Sequence, residues 1–190
     1  MNWFHLNSFP FKSNLRGGIK IGVKGWLGFR LKTKKTSLEL YQALMAGIVD
    51  MFLTENDGDV EKTNADVKEL GERMTETLLM GYAEKMSEHA PVFEKFKDTL
   101  PLAYKFYSGT SFTNIIYDPE KKIIRFEDDD CFICRDITLT EDLKDLKYCS
   151  TVAGIFTGVL KLRGFSGDCN QVECRAAGGK TCAYELISFE

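Results

Sequence analysis

Three cysteines near the end of the chain constrain its fold more than any other feature. Cys174 and Cys182 bracket a short stretch in which Ala177-Gly178-Gly179 predicts a three-residue hairpin loop with a glycine in the left-handed conformation. Such a loop places the two cysteines opposite each other on paired strands, with their Cβ atoms about 4.5–5.5 Å apart. Cys149 falls on a predicted helix just upstream. Sulfurs that converge from a helix and a hairpin indicate a metal site rather than scattered core cysteines.

Length and composition favour one globular domain, since the chain has 190 residues of which 44% are hydrophobic. No apolar run approaches the roughly 20 residues of a membrane span, and no segment has the pattern of a cleavable signal peptide. We therefore expect a cytoplasmic protein. In that compartment the six cysteines are expected to be metal ligands or free thiols rather than a disulfide framework.

A structural zinc ion needs one donor more than the three cysteines supply, because it is bound by four ligands in a tetrahedron. The chain has two histidines, so a cysteine-rich or cysteine-plus-carboxylate site is predicted. Three residues on the strand that enters the hairpin are candidates for the fourth ligand, and spacing alone does not distinguish them: Cys169, Gln171 and Glu173.

Cys131-Phe-Ile-Cys134 forms a possible second thiol pair. A C-x-x-C is compatible with half a zinc site, a redox pair or two ordinary thiols. Redox chemistry requires a lowered thiol pKa, and the preceding run Asp128–Asp130 is expected to raise it. A second metal position, or joint use with Cys149, stays open. The chain contains no persuasive nucleophile–base pair or nucleotide-binding motif, so a non-catalytic protein is expected.

Charge is distributed unevenly along the chain. Residues 1–35 contain eight basic and no acidic residues, whereas the remainder contains 17 basic and 28 acidic residues. Residues 1–17 show no clear period and are predicted to be a basic, aromatic arm, followed by a single domain at 18–190. The arm could contact an anionic membrane, but packing on the acidic body of this chain or of a partner is favoured. Direct nucleic-acid binding is not expected.

Apolar periodicity predicts an α+β fold, with about four helices packed on an antiparallel sheet. Gly71, Gly154 and Gly158 lie on predicted helices and indicate a close helix crossing. The predicted helices are 36–53, 64–86, one from Pro91 through Tyr107, and 140–162. The predicted extended segments are a hairpin at 18–31, strands at 111–117 and 122–127, a piece at Cys131–Cys134, and a final hairpin at 168–176 and 180–189.

Two segments, Lys147–Gly158 and Glu173–Glu185, together resemble the vinyl-4-reductase domain. Its hallmark is a Cys…Gly…Gly helix followed by Cys-x7-Cys in the final hairpin. That domain shares its fold with small subunits of the TRAPP vesicle-tethering complex, and the segment Ala103–Asn114 is similar to the helix-to-strand junction of those subunits. The resemblance covers about residues 18–190. It implies an α+β fold, a homodimer formed through the early helices, and an apolar pocket between helices and sheet.

The resemblance also implies a function. Hydrocarbon-sensing relatives hold a structural zinc with three cysteines that match Cys149, Cys174 and Cys182, and an acidic fourth ligand near the place of Gln171. Those relatives also carry an ATPase and a DNA-binding module, which this chain lacks. We therefore expect a stand-alone domain that binds a small hydrophobic ligand and acts through a partner. Candidate pocket residues are Tyr104, Phe112 and Ala153.

Two other functions are compatible with the sequence. One is a TRAPP-like subunit that acts in protein-complex assembly or membrane tethering, and the other is a redox enzyme that uses the C-x-x-C. TRAPP-like relatives generally lack the hairpin cysteines, which favours the ligand-binding interpretation.

Overall fold

The structure, a computed structural model, describes residues 38–79 and 92–189. Within these two ranges it confirms the predicted α+β class, with four helices packed against a four-stranded antiparallel sheet. The helices are α1 (Leu38–Glu55), α2 (Val60–Leu79), α3 (Phe96–Ser108) and α4 (Ser150–Leu162). The strands are β1 (Asn114–Asp118), β2 (Ile123–Asp128), β3 (Gly167–Glu173) and β4 (Cys182–Ser188). The predicted arm at 1–17, the hairpin at 18–31 and the start of the first helix at Thr36 lie outside the described residues.

The sheet has the strand order β1-β2-β4-β3, and each neighbouring pair is antiparallel. Side chains alternate along β2. Ile124, Phe126 and Asp128 are therefore buried on one face of the sheet, and the residues that alternate with them are less buried on the other face. In the pairing of β2 with β4, Phe126 lies opposite Tyr184 and Asp128 lies opposite Cys182. The register therefore brings the residues that follow β2 next to the first residue of β4.

Helix α4 is buried on nearly its whole circumference because it packs on β3 and β4 on one side and on α2 on the other. Glycines allow the two helix backbones to approach. A Cβ added at Gly71 would overlap the carbonyl oxygen of Thr151, and one added at Gly154 would overlap that of Lys68. A Cβ at Gly158 would lie 2.7 Å from the Cβ of Thr75. The close helix crossing predicted from these glycines is confirmed.

The predicted helix 140–162 is wrong in its first half. Residues Glu141–Leu143 form a 3-10 turn and α4 begins at Ser150, so Cys149 precedes the helix instead of lying on its apolar stripe. The side chain of Asn64 explains the difference, because it accepts a hydrogen bond from the backbone N–H of Lys147 (2.6 Å) and donates one to the carbonyl of Asp145 (3.1 Å). These bonds hold the segment in an irregular conformation although its apolar residues have helical spacing.

The predicted extended piece at Cys131–Cys134 is also wrong, because these residues form a turn. Other differences concern helix ends. Helix α2 begins four residues earlier than predicted, where Asp59 Oδ1 accepts a hydrogen bond from the N–H of Lys62 (3.0 Å) as an N-cap. A 3-10 turn at Phe93–Lys95 precedes α3, which contains Pro101. None of the helices within 38–79 and 92–189 is long and apolar enough to cross a membrane.

We expect Gly154→Ala to destabilise the protein by about 1–3 kcal/mol or more, because the new methyl group must separate α2 from α4. Gly47→Ala on α1 is the matched control, since a Cβ there meets nothing within 4 Å and alanine favours a helix by about 1 kcal/mol. Urea denaturation measures both variants. Equal stability of Gly154→Ala and the parent would contradict the close crossing.

Candidate metal centre

Four buried cysteines lie close together at the end of the sheet where β2 finishes and β4 begins. Their sulfurs all lie within 4.8 Å of one another, and the four residues are Cys131, Cys134, Cys149 and Cys182. The Sγ–Sγ distances are 3.6 Å between Cys131 and Cys149, 3.4 Å between Cys134 and Cys182, and 4.0 Å between Cys149 and Cys182. A tetrahedral ion with metal–sulfur bonds of about 2.3 Å has its sulfurs about 3.8 Å apart. The four cysteines could therefore bind one metal ion.

Three different parts of the fold position the four sulfurs. The turn after β2 carries Cys131 and Cys134, Cys149 precedes the first turn of α4, and Cys182 is the first residue of β4. Their exposed fractions are between 0% and 1%, so solvent has almost no access to the sulfurs. An iron–sulfur cluster attaches its thiolates to different irons and holds them farther apart than one ion does, so this spacing favours a single ion.

Backbone N–H groups contribute hydrogen bonds to the sulfurs. The N–H of Arg175 donates to the Sγ of Cys182 at 3.4 Å. The pKa of the Cys131 thiol is lowered mainly by hydrogen bonds with the other sulfurs, Cys134 first, and the backbone N–H of Ile133 lowers it further. Such N–H···S bonds stabilise thiolate, which is the form that binds metal.

Contacts between the sulfurs shift their pKa values in opposite directions. Hydrogen bonds from Cys134, followed by those from Cys149 and Cys182, lower the pKa of Cys131 and of Cys174. The Cys131 sulfur is the main cause that raises the pKa of Cys134 and of Cys182, whereas burial is the main cause that raises the pKa of Cys149. Thiols in mutual contact thus share protons, and a cation is the group that allows all of them to ionise together.

The three cysteines predicted as metal ligands have different positions. Cys149 and Cys182 belong to the four-sulfur group, and Cys174 lies beside it, where its sulfur interacts with those of Cys134, Cys149 and Cys182. A bulge between Gln171 and Glu173 shifts the β3–β4 register just before Cys174. A 3-10 turn at Arg175–Ala177 follows Cys174, and Gly178 then has the predicted left-handed conformation with φ of 86°.

The predicted candidates for a fourth ligand lie outside the four-sulfur group, and the side-chain polar atoms of Gln171 and Glu173 have other partners. Gln171 Oε1 accepts a hydrogen bond from the backbone N–H of Cys149 (3.0 Å), and its Nε2 donates to the carbonyl of Glu173 (3.1 Å). Glu173 Oε1 accepts from the N–H of Lys180 (2.7 Å) in the hairpin loop. Cys169 is fully buried on β3, where its N–H donates to Thr157 Oγ1. Gln171 is therefore a positioning residue for Cys149 in this structure.

The C-x-x-C pair contributes two of the four sulfurs. The sequence left its role open, and the structure places both sulfurs within 4.8 Å of the Cys149 sulfur. The signal that could have identified this was the motif itself, since a C-x-x-C directly after a strand is typical of half a zinc site. The partner of that half-site could not be identified from spacing, because 18 residues separate Cys131 from Cys149 and 48 separate Cys134 from Cys182.

An aromatic cluster fills the space between the helices and the sheet next to the sulfurs. The predicted pocket residues Tyr104 and Phe112 stack on each other with ring centroids 4.2 Å apart and an 18° interplanar angle. Phe112 also contacts Phe126 (5.1 Å) and Phe156 (6.0 Å). Ala153 is fully buried on α4. The Tyr184 hydroxyl lies 4.0 Å from the Cys131 sulfur and thus links the two sites.

One buried hydrogen bond connects the aromatic cluster to the turn that carries the C-x-x-C. The Tyr104 hydroxyl donates a hydrogen bond of 2.6 Å to Asp128 Oδ2, and both residues are buried. Burial, followed by the nearby Cys131 thiol, raises the pKa of Asp128 to about 6. Asp128 Oδ1 accepts from the N–H of Asp130 at 2.9 Å, which fixes the start of the turn.

Comparison with solved structures shows that the fold is TRAPP-like. TRAPP subunit 3 from Naegleria fowleri, covalently bound to palmitic acid, superposes with a TM-score of 0.70 and 16% sequence identity over 81% of this chain and 98% of that chain. The phenol-responsive sensory domain of the transcription activator PoxR, solved with phenol, gives a TM-score of 0.50 and 16% identity over 89% of this chain and 84% of that chain. No protein-family model and no curated protein matches the sequence.

Proposed function

We propose that this protein is a non-catalytic binding domain for a small hydrophobic ligand, in which a zinc ion held by cysteines stabilises the fold. The observation that supports the zinc site is the set of four buried sulfurs with mutual distances suited to one tetrahedral ion. Zinc is favoured over other metals because the donors are thiolates in a tetrahedral arrangement.

The burial of the site supports a structural role for the ion. Catalytic zinc sites use three protein ligands and leave one position for water or substrate. Here four sulfurs surround one centre and are at most 1% exposed, so no position is open to substrate. The ion would join the turn after β2, the start of α4 and the start of β4, which are segments far apart in the sequence.

The aromatic cluster supports hydrophobic-ligand binding. Phe112 comes from the irregular segment between α3 and β1, and it is only partly buried, unlike Tyr104, Phe126 and Phe156 around it. A ring on such a segment can move with less loss of backbone hydrogen bonding than one on a helix or strand. A planar apolar ligand would occupy the place of the Phe112 ring between α3, α4 and the sheet. Two proteins of the same fold were solved with phenol and with palmitic acid.

A second candidate function, a TRAPP-like subunit in a protein complex, is favoured by the surface of α1. Leu40, Leu44 and Met51 recur at helical spacing and are 53%, 55% and 46% exposed. Another face of the same helix buries Met45 and Val49. A helix that is apolar on both faces is normally covered on both. We propose a second copy of this chain as the partner, because an uncharged apolar stripe is complementary to itself across a two-fold axis.

We expect the protein purified without added metal to contain about one zinc ion per chain. Cys149→Ser should remove the zinc and lower the melting temperature strongly, since the free energy of metal binding contributes directly to folding. Cys169→Ser is the matched control, because Cys169 is equally buried but lies outside the four-sulfur group. Elemental analysis and thermal unfolding with and without chelator measure these effects. Protein that is fully folded and free of metal would contradict the zinc site.

We expect phenol or palmitate to bind to the parent protein and to shift the NMR signals of the Phe112 ring. Phe112→Ala should bind phenol more tightly, because the ligand no longer competes with the side chain for the same space. Phe189→Ala serves as the control, since this phenylalanine is 66% exposed. Ligand binding would be contradicted if neither phenol nor palmitate binds to the parent at millimolar concentration. If that parent nevertheless forms a dimer, the protein-complex function replaces ligand binding.

We expect the parent to be a dimer and Leu44→Lys to be a monomer, because a charge in the α1 stripe must be desolvated in the interface. Leu102→Lys, at a residue of α3 that is 47% exposed, should leave the mass unchanged. Sedimentation equilibrium over a range of concentrations measures the masses. A monomeric parent, or a dimer that is unaffected by Leu44→Lys, would contradict the proposed interface.

A further inference from the structure

The contacts among the four sulfurs are unequal and divide them into two pairs. The Sγ atoms lie 3.6 Å apart in the pair Cys131–Cys149 and 3.4 Å apart in the pair Cys134–Cys182, so these two contacts use each sulfur once. The contact Cys149–Cys182, which links one pair to the other, measures 4.0 Å. A regular tetrahedral ion would hold all of its sulfurs at one distance of about 3.8 Å. The arrangement is therefore also suited to bonds within the two pairs.

A disulfide requires only a small movement of each pair. The S–S bond is about 2.05 Å long, so the sulfurs of the two pairs must approach each other by about 1.4 Å and about 1.6 Å. If both sulfurs of a pair move, each moves by less than about 1 Å, and a modest rotation about the Cα–Cβ bond supplies that displacement.

We propose that the four cysteines are a site of reversible oxidation, at which a peroxide converts them into the disulfides Cys131–Cys149 and Cys134–Cys182. A dithiol reductant would restore the thiols by exchange. The inference concerns the sulfurs themselves, so it does not depend on the zinc ion proposed above.

Each disulfide forms in two steps that consume one molecule of peroxide. A thiolate attacks one oxygen of hydrogen peroxide, the O–O bond breaks, and hydroxide leaves a sulfenic acid on that cysteine. The thiolate of the partner then attacks the sulfenic sulfur, so that the S–S bond forms, the S–O bond breaks and a second hydroxide leaves. The protons lost by the two thiols convert both hydroxides into water. Two electrons thus pass from two thiols to one peroxide, and an ion bound by these thiolates would be released.

The turn that carries Cys131 and Cys134 provides access for the oxidant. Because the four sulfurs are at most 1% exposed, oxidation requires a local opening of the structure. This turn belongs to no helix or strand, and four residues that flank it are exposed, namely Asp129, Asp130, Arg135 and Asp136. Opening of the turn exposes its two cysteines, while Cys149 and Cys182 stay at the starts of α4 and β4. A cysteine oxidised in the open state therefore meets its partner when the turn closes.

The two disulfides would join the same segments that the proposed ion joins. One connects the turn to the start of α4, and the other connects it to the first residue of β4. The paired cysteines are 18 and 48 residues apart, so both bonds restrict the unfolded chain more than a bridge within the C-x-x-C would. We therefore expect the oxidised protein to stay folded without metal.

Disulfide mapping of the parent protein tests the proposal. The reduced protein is analysed for metal, stripped with a chelator and treated with two equivalents of hydrogen peroxide. Trypsin followed by chymotrypsin cleaves after Phe132, which separates Cys131 from Cys134, and mass spectrometry of the unreduced peptides identifies the pairs. We expect a loss of four hydrogen atoms per chain, the two disulfides named above, and recovery of the thiols with dithiothreitol. The oxidised protein should melt several degrees above the reduced metal-free protein.

Cys169→Ser is the matched control and should give the same two pairs, because Cys169 is equally buried but lies outside the four-sulfur group. A disulfide between Cys131 and Cys134, or any disulfide to Cys174, would contradict the proposal. Six thiols that resist peroxide, or oxidation to sulfonic acid without a disulfide, would also contradict it.

The metal analysis separates this inference from the proposed zinc site. A parent that is purified without metal and still forms the two pairs would contradict the zinc site alone. A parent that contains zinc but forms other pairs, or none, would contradict the oxidation site alone.

Discussion

The pairing of β2 with β4 determines where the four-sulfur group and the aromatic cluster lie. With Asp128 opposite Cys182 and Phe126 opposite Tyr184, one register turns the cysteine, the aromatic ring and the carboxylate toward the helices together. A slip of one residue would turn all of them to the outer face, because side chains alternate along a strand. On that outer face Arg125 forms ion pairs with Glu127 (2.7 Å) and Glu185 (2.9 Å), which burial would leave desolvated. Both faces therefore favour the same register.

Buried thiols at this density make the fold sensitive to their protonation, and the proposed metal ion would remove that sensitivity. Neutral thiols pack as small apolar groups, but ionised thiols so close together repel one another strongly unless a cation neutralises them. The sulfurs come from a turn, a helix start and a strand start, so an ion at their centre closes several long loops at once. Gln171 completes this arrangement, since it fixes the backbone N–H of Cys149 from the neighbouring strand.

The crossing of α2 and α4 sets the room available on the other side of α4. Gly71 and Gly154 bring the backbones of α2 and α4 into contact. Because of this contact, α4 cannot move away from the sheet to make room for a ligand. Space must come from a side chain that can move, and Phe112 on its irregular segment is the ring with the fewest backbone constraints. Helix packing would thus limit access for the proposed ligand, while the exposed apolar residues of α1 lie on a different part of the fold.

The sequence alone determined the features that depend on local pattern. Apolar periodicity predicted the fold class and the helices, and glycines at helical spacing predicted the close crossing. Only the tertiary structure decided which sulfurs meet, because the β2–β4 register and the bulge after Gln171 involve residues distant in the sequence. It also decided where α4 begins, since Asn64 from another helix binds the backbone before Ser150 and overrides an apolar spacing that is helical. Contacts between distant segments leave no periodic signal in the chain, and for that reason spacing could not assign the ligands.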